Sequence, residues 1–578
     1  MQKIWNLKQP ADMNEVKHLS AALNVDMAIA NLLVQRDIKT YQDARSFFRP
    51  RLTDLHDPFL MKDMDKAVKR LVEAIQSDEK VLVYGDYDVD GTTSVALMYS
   101  FLQNKLTNVD YYIPDRYMEG YGISKRGIEY AAENEYSLVV VLDCGIKAID
   151  KIAQAKEMGL DFIICDHHNP DDEIPDAVAV LDPKQPDCNY PYKELSGCGV
   201  GFKFLQAFCR DQGIPEDVIY ELLDLVVVSI ASDIVPLTGE NRVLAYYGLR
   251  KLNSNPSVGL KTLIKYAGMQ GEIRVNDIVF RIGPRLNASG RIEHGKKSVA
   301  ILMAQDEEEA EALGSEINSY NEIRKTLDQN ITQEALEMIQ QNDGWEKLNS
   351  TVLYNRDWHK GVVGIVASRL TEHYYRPTVI LTESNGMATG SARSVGEFDL
   401  YEAIGACSDL LESYGGHMYA AGMSMKIENV PEFRRRFEEI VTESVKKVKL
   451  VPTIDIDAKV SLSDLNPKFL RVLNQFEPFG PHNMMPVFLT EDVMDYGTSR
   501  LVGRGSEHIK LDLIEANRSS SVFSGIAFSQ AHHYEMIKQS LPFDICYSVT
   551  ENEYRGKVYM QLNVRDMRSR LSENNDNA

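Results

Sequence analysis

KVLVYGDYDVDG, residues 80–91, sets the apolar run Val81–Tyr84 directly against three aspartates at alternate positions, Asp86, Asp88 and Asp90. An apolar run without polar alternation reads as a strand buried on both faces, and such strands belong to parallel sheets covered by helices. Four more runs of this kind follow, VDYYIPD (109–115), SLVVVLD (137–143), DFIICD (161–166) and AVAVLDP (177–183), with helical stretches between them. The expected fold class is therefore α/β, a doubly wound parallel sheet with helices on both faces, reaching to about residue 300.

The polar residues that close these runs carry the chemistry. One run leads into Asp86, Asp88 and Asp90, another into Asp143, another into Asp166, His167 and His168, and the apolar run in VVVSIASDIVPL (226–237) into Asp233. In an open parallel sheet the ligand crevice lies outside the carboxyl ends of the strands, so these side chains should converge there. Converging carboxylates repel one another, and bound divalent cations are the usual remedy. Carboxylates with one or two imidazoles suit Mn²⁺ or Mg²⁺ better than zinc, and two such ions ~3.5–4 Å apart would activate water and neutralise a phosphoryl group. Taken singly, DYDVDG reads equally as an acidic turn and DHH as a polar strand end. The order of the three groups along successive strands favours the metal site.

At 578 residues the chain exceeds a single core and implies three or four domains. Hydrophobic residues at 44% and charged residues at 26% are ordinary for a globular protein, and no apolar run approaches the ~18 residues of a membrane span. No membrane partner is expected, and MQKIWNLKQP has no apolar core of a signal peptide. The seven cysteines form no CxxC pair, which points to a reducing, cytoplasmic compartment. A net charge of −22 argues against a nucleic-acid partner over most of the surface, but Arg274, Arg281, Arg285, Arg291, Lys296 and Lys297 make one strongly basic segment.

The expected organisation is a helical lead-in (1–60), the catalytic α/β domain (61–304), a connector helix (305–345), a smaller α/β domain (346–449), an all-β barrel of the OB type (450–570) and a disordered tail (571–578). The connector follows from Leu313, Ile317, Tyr320, Ile323, Leu327, Ile331, Ala335 and Met338, which step by three and four without a proline. Alternating segments such as KVYMQLNVRD mark the barrel.

GDYDVDG (85–91), VVVLDCG (139–145) and CDHH (165–168) resemble the opening motifs of the DHH phosphoesterases, and TGSARS (389–394) and GGHMYAAG (415–422) those of the associated DHHA1 domain. ASDIVPLTGENR (231–242) and RIGPRLNASGRI (281–292) are similar to the RecJ family of bacterial single-strand-specific 5′ exonucleases rather than to shorter members, and PFGPHNMMPVF (478–488) resembles the start of the RecJ OB domain. The resemblance spans about residues 50–570. It implies a metal-dependent exonuclease that degrades single-stranded DNA from 5′ to 3′ in repair and recombination, using two Mn²⁺ or Mg²⁺ ions. It further implies partners that deliver the strand, a single-strand-binding protein and a RecQ-type helicase. The alternative is a DHH phosphodiesterase acting on short oligonucleotides or cyclic dinucleotides, whose usual two-domain chain lacks the barrel and the 231–292 segments.

Carried onto this sequence, the resemblance implies metal ligation by Asp88, Asp90, Asp143, His167 and Asp233, with Asp86 ligating or supporting. Asp143 and His168 would be catalytic, His168 by hydrogen-bonding the scissile phosphate or the leaving oxygen. The TGSARS element, read as a turn whose backbone N–H groups face an oxyanion, would hold the 5′ end through Ser391 and Arg393, with His417 a further contact. Arg116, Arg285 and Arg291 would track the strand. Two departures stand out: Tyr84 where many relatives carry histidine, and His482-Asn483 where the family motif reads Gly-Asn. Trp358-His359-Lys360 reads as a strand-to-helix loop, and Phe476, Phe479, Phe488 and Tyr496 serve equally as barrel core or stacking platforms. Because every implied ligand precedes residue 234, the barrel is expected to supply affinity rather than chemistry.

Overall fold

The structure, a computed structural model, describes residues 3–446, 450–516, 521–554 and 556–569; the expected tail 571–578 lies outside the described residues. It divides into two compact units, one from Asp57–Asp233 and Gly248–Pro452, the other from Trp5–His56, Ile234–Tyr247 and the chain from Thr453 onward.

The first unit contains the doubly wound sheet. Its strands are β1 (Val81–Gly85), β2 (Val109–Tyr112), β3 (Leu138–Leu142), β4 (Asp161–Cys165) and β5 (Ala179–Leu181), all parallel, in the order β2-β1-β3-β4-β5. Each is one of the five apolar runs. β1 and β3 are buried along their whole length, as a strand with helices on both faces must be. The chain steps from β1 outward to β2 and then back across to β3, so strand order reverses between β1 and β3. That reversal opens the crevice at the end of these strands, where Asp86–Asp90 and Asp143 lie.

Helix α1 (Val89–Leu102) leaves β1 with Asp88 as its N-cap, and α2 (Gly197–Asp211) and α3 (Leu223–Ser232) pack on it. Almost every residue of α2 and α3 is buried, consistent with their near-continuous apolar sequence. Helix α4 (Gly283–Ile292) follows, then the connector α5 (Glu307–Gln341), 35 residues capped by Asp306.

A second sheet in this unit holds β6 (Thr351–Tyr354), β7 (Thr378–Ser384), β8 (Met387–Arg393), β9 (Leu411–His417) and β10 (Ala420–Lys426), ordered β9-β10-β8-β7-β6, with α6 (Val363–Tyr374) between β6 and β7. Only β6 and β7 run parallel. The TGSARS segment is not a turn. Thr389–Arg393 form the end of β8, paired with β10 on one side and β7 on the other, so the ladder and not an oxyanion engages the backbone there. GGHMYAAG is the β9–β10 hairpin.

The second unit is one core. Val16, Leu19, Ile29 and Leu33 of the N-terminal helices (Met13–Leu23 and Met27–Val34) share it with Phe488, Leu511, Phe543 and Tyr547 of the barrel, so the first helices fold with the C-terminal strands and not as a separate lead-in. The barrel closes through Phe488–Asp495, Phe543–Tyr554, Lys557–Ser569, Phe523–Ala527 and His508–Glu515, the last pairing back onto the first. Phe476 and Phe488 are core and Tyr496 is exposed. His482 has φ +60°, the left-handed region that glycine adopts freely, which accounts for the Gly of the usual motif. No helix among the described residues is long and apolar enough to cross a membrane.

Candidate active site

The loop after β1 and the first turn of α1 gather three carboxylates in five residues because the backbone folds back on itself. Asp88 accepts from the Gly91 N–H at 3.0 Å, and a Cβ on Gly91 would lie 2.4 Å from the Asp86 carbonyl, so only glycine lets α1 begin so close to its own strand. Asp90 is the most constrained of the three. Its Oδ2 accepts from Gly197 N (2.7 Å) and its Oδ1 from Cys198 N (2.9 Å) and the Ser229 hydroxyl (2.7 Å), which docks the carboxylate on the N-terminus of α2.

Asp143 ends β3 in the left-handed region at φ +61°, and α2 meets it at Gly197, where a Cβ would come within 2.6 Å of the Asp143 Cβ. His167 Nε2 lies 3.2 Å from Asp143 Oδ1, 3.6 Å from Asp233 Oδ2 and 3.8 Å from Asp90 Oδ2. Asp233 reaches this point from the last turn of α3, so one imidazole faces three carboxylates from three elements. Asp90, His167 and Asp233 form one set of possible ligands within 4.8 Å of one another, and Asp143, His167 and His168 a second.

Burial first, and then mutual repulsion, push the Asp86, Asp88, Asp143 and Asp233 carboxyls above the usual range. Burial likewise lowers His167, favouring the neutral imidazole that ligates metals. Asp86 Oδ2, Asp143 Oδ1 and both ring nitrogens of His167 are buried without a hydrogen-bond partner. Buried polar atoms are almost always satisfied, and orphaned oxygens around a neutral imidazole fit a hard divalent cation.

His168 has a different environment from its neighbour. Its Nδ1 meets Asp166 Oδ1 at 2.7 Å and its Nε2 meets the Tyr121 hydroxyl at 3.1 Å. Burial disfavours its charge, but the Asp166 hydrogen bond and the surrounding carboxylates raise it to about 9. Burial also opposes charge on Asp166, yet His168 and the Ile146 N–H hold that carboxyl down to about 2. Tyr84 is no ligand. Its hydroxyl donates to Gly122 O and accepts from Ser124 N, both at 3.0 Å, and Gly122 in turn donates to Asp86 Oδ1 at 3.2 Å. The tyrosine therefore steadies the loop that holds Asp86.

The arginines gather separately. Arg116 lies over the Tyr87 ring at 4.8 Å and exerts its charge on Asp86 and Asp88 as well as on Arg291 and Arg393. Arg291, at the end of α4, donates to Gly361 O at 2.9 Å, while its own carbonyl accepts from the Tyr117 hydroxyl. Arg393 Nη1 donates to Ser391 Oγ at 2.6 Å and to Ala392 O at 2.8 Å. Burial and then the neighbouring guanidiniums lower Arg291 to about 9, and the same causes lower Arg393. No carboxylate pairs with Arg116, Arg291 or Arg393 among the described residues. His417 pairs with Ala420, which pairs with Arg393, so the histidine shares the arginine's face ~10 Å away, two strands over.

Arg285 is not brought there. Its guanidinium donates to Arg281 O, Tyr266 O and Asn318 Oδ1 in the interior, and Arg281 and Lys297 of the same basic segment bond Ala267 O and Glu316. Of that segment, Arg291 alone enters the cluster. Sequence reasoning missed Arg324 of α5, whose charge acts on Arg291, and Tyr117 and Tyr121, which follow Arg116 in IPDRYMEGYG.

Residues 80–230 match the DHH family N-terminal domain, residues 348–443 the DHHA1 domain and residues 456–566 the RecJ OB domain. The single-stranded-DNA-specific exonuclease RecJ of Bacillus subtilis (strain 168) is 38% identical over 565 residues, 97% of this chain and 70% of that protein. The enzyme of the same name in Escherichia coli (strain K12) is 31% identical over 526 residues, 87% of this chain and 89% of its own length. The crystal structure of RecJ from Thermus thermophilus in complex with Mn²⁺ matches at a TM-score of 0.83 and 27% identity over 98% of this chain and 79% of that one. Likeness that runs from the first strand-end aspartates through both sheets into the barrel reflects common descent, and the chain belongs to the RecJ family of the DHH phosphoesterases.

Proposed function

We propose that this chain is a single-stranded-DNA-specific exonuclease that hydrolyses phosphodiester bonds from the 5′ end. The observation that carries the proposal is the presence, in one folded unit, of a carboxylate-imidazole cluster with orphaned ligand atoms and an arginine cluster without acidic partners. The first needs cations and the second an anion. A divalent-metal phosphodiesterase bound to a terminal phosphate supplies both.

Asp86, Asp88, Asp90, Asp143, His167 and Asp233 would hold two Mn²⁺ or Mg²⁺ ions, which when bound activate water and neutralise the scissile phosphoryl group. Asp90, whose Oδ1 is taken up by Cys198 N, Ser229 and Ser94, keeps a lone pair on Oδ2, which accepts only from Gly197 N, and so offers that oxygen to the set. His168, held protonated by Asp166, presents an Nε2–H to the phosphoryl or leaving oxygen once it turns from Tyr121. Arg393 and Ser391, with Arg291 and Arg116, grip the 5′ phosphate, and His417 contacts the strand on the same face of the second sheet. The barrel, with Tyr496 exposed, binds the strand beyond the reacting end.

The resemblance extends the reading to repair and recombination, with single-strand-binding protein and a RecQ-type helicase delivering the strand. Seven free cysteines, all buried, suit a reducing cytoplasm. The test is hydrolysis of 5′- and 3′-labelled single strands, duplexes and RNA with and without Mn²⁺. Mn²⁺-dependent release of label from the 5′ end of single strands is expected. Release from the 3′ end first, or equal cutting of duplex, overturns the proposal.

A further inference from the structure

Trp358, His359 and Lys360 lie in the loop between β6 and α6, in the same compact unit as the arginine cluster. Neighbouring elements and a local turn fix this loop. Trp358 is buried, its indole N–H donates to Glu334 Oε2 of α5 at 2.8 Å, and its carbonyl accepts from the Thr382 hydroxyl of β7 at 2.6 Å. His359 then closes a turn within the loop, its Nδ1 accepting from the Gly361 N–H at 3.1 Å and its carbonyl from the Val362 N–H at 3.0 Å. Burial lowers His359, which keeps the imidazole neutral and its Nδ1 free to accept.

The loop presents the Gly361 carbonyl, which accepts from Arg291 Nη1 at 2.9 Å. Among the described residues this is the guanidinium's one hydrogen bond, so its other donors stay open to a ligand. The approach is close. A Cβ on Gly361 would lie 2.6 Å from Arg291 O and would collide with the Tyr117 hydroxyl, so only glycine lets the loop reach the end of α4.

Tyr117 forms the other side of this joint. Its hydroxyl donates to Arg291 O, its ring meets the His359 imidazole edge-on at 6.4 Å, and Lys360 Nζ lies over the ring at 5.8 Å. Its backbone is held by Asp115, whose Oδ1 accepts from the Tyr117 and Met118 N–H groups at 2.8 Å each. Arg116 immediately precedes it. One tyrosine therefore ties the loop that carries Arg116 to the helix end that carries Arg291 and to the loop between β6 and α6. Guanidiniums that repel one another need such a tie, because a planar fork grips phosphate oxygens only at a set distance and angle.

We infer that Tyr117 and His359 are positioning residues for Arg291, Tyr117 through the Arg291 carbonyl and His359 through Gly361, so that the terminal phosphate is read where the loop of the second sheet meets α4. The inference rests on Arg291 binding the 5′ phosphate. It gives the Trp358–Gly361 loop a part in recognising the strand end without touching the strand.

The test compares kcat/KM of the full chain with Mn²⁺ on matched single strands that differ only in a 5′ phosphate or a 5′ hydroxyl, at fixed salt, with melting followed alongside. Tyr117→Phe, which keeps the ring, and His359→Ala should each cut the preference for the phosphate about two- to ten-fold, the worth of one neutral hydrogen bond, and through KM rather than kcat. His359→Asn should return most of it, because an asparagine oxygen accepts from the N–H two residues on, as the imidazole does. A defect of folding alone would slow both strands alike, and asparagine would not rescue it. Arg291→Ala is the control and should lose more than either. If it does, while Tyr117→Phe and His359→Ala discriminate as the parent does or slow both strands alike, the inference is overturned and Arg291 keeps its role. If Arg291→Ala itself discriminates as the parent does, the reading of Arg291 falls and the inference with it.

Discussion

The acidic ends of the parallel sheet and the arginines around Arg291 meet one electrostatic problem with opposite signs. In the first, burial and repulsion raise Asp86, Asp88, Asp143 and Asp233; in the second, burial and repulsion lower Arg291 and Arg393. Elsewhere in the chain some such groups are paired, as Arg369 is with Asp328 at 2.6 Å and Arg70 with Glu79 at 2.7 Å. Arg116 touches both clusters electrostatically without neutralising either. The two sets do not pair with each other: Asp90 is held by backbone N–H and hydroxyl groups, and Arg291 and Arg393 by carbonyls and a hydroxyl, contacts that leave their charge for a ligand. The difference in how they are held is informative: the carboxylates sit on strand ends and helix termini, whereas the arginines come from a loop, a helix end and the end of an interior strand of the second sheet.

The comparison breaks most severely at Asp143. Asp143→Ala removes an orphaned oxygen 3.2 Å from His167, and hydrolysis should fall by about a thousand-fold or more while melting stays level or rises, since one buried repulsive charge is gone. Turnover within ten-fold of the parent would remove the acidic cluster from the reaction. On the basic side, Arg393→Ala deletes a charge-assisted contact of ~1.5–3 kcal/mol, so preference for a 5′ phosphate over a 5′ hydroxyl should shrink roughly ten- to hundred-fold at fixed salt. Undiminished preference would assign the terminal phosphate to Arg116 or Arg291. Lysine at position 393 should restore only part of it, lacking the planar fork.

The smallest effect sharpens the boundary between the two clusters. His168 is raised to about 9 by Asp166, so its proton is present below that pH and lost above it, and activity that needs the proton should decline on the alkaline side near pH 9. Asp166→Asn should move that decline toward the ordinary histidine range near ~6.5 and cost about four-fold at pH 7. A pH–rate profile with the same alkaline limb in both proteins would show that His168 does not act as a proton donor. The sign carries over to stability: a folded-state value above the unfolded one stabilises below about pH 6.5 and ceases to do so as pH passes 9.

Much of this was legible because period and position are local properties. Val81–Tyr84 and Leu138–Leu142 have no polar alternation and became interior strands, and the residues after them had to lie at the strand ends. The three-and-four spacing from Leu313 to Met338 became a single helix. Other readings failed where partners are remote in sequence. TGSARS looks like a turn by composition, but β7 and β10 pair with it on both sides and make it an interior strand. Arg285 and Arg291 stand six residues apart in one basic stretch, yet the first is enclosed by carbonyls and only the second reaches the cluster.

The sequence by itself determined the parallel sheet, the identity of the strand-end carboxylates and imidazoles, and the family, because each depends on residue order over a few positions. Tertiary structure alone decided which arginines lack acidic partners, that Tyr84 steadies the Asp86 loop, that the first helices share the barrel's core, and that Arg291 meets the loop between β6 and α6 at Gly361. These depend on burial and on contacts between residues tens to hundreds of positions apart, and neither quantity is written in any short stretch of chain.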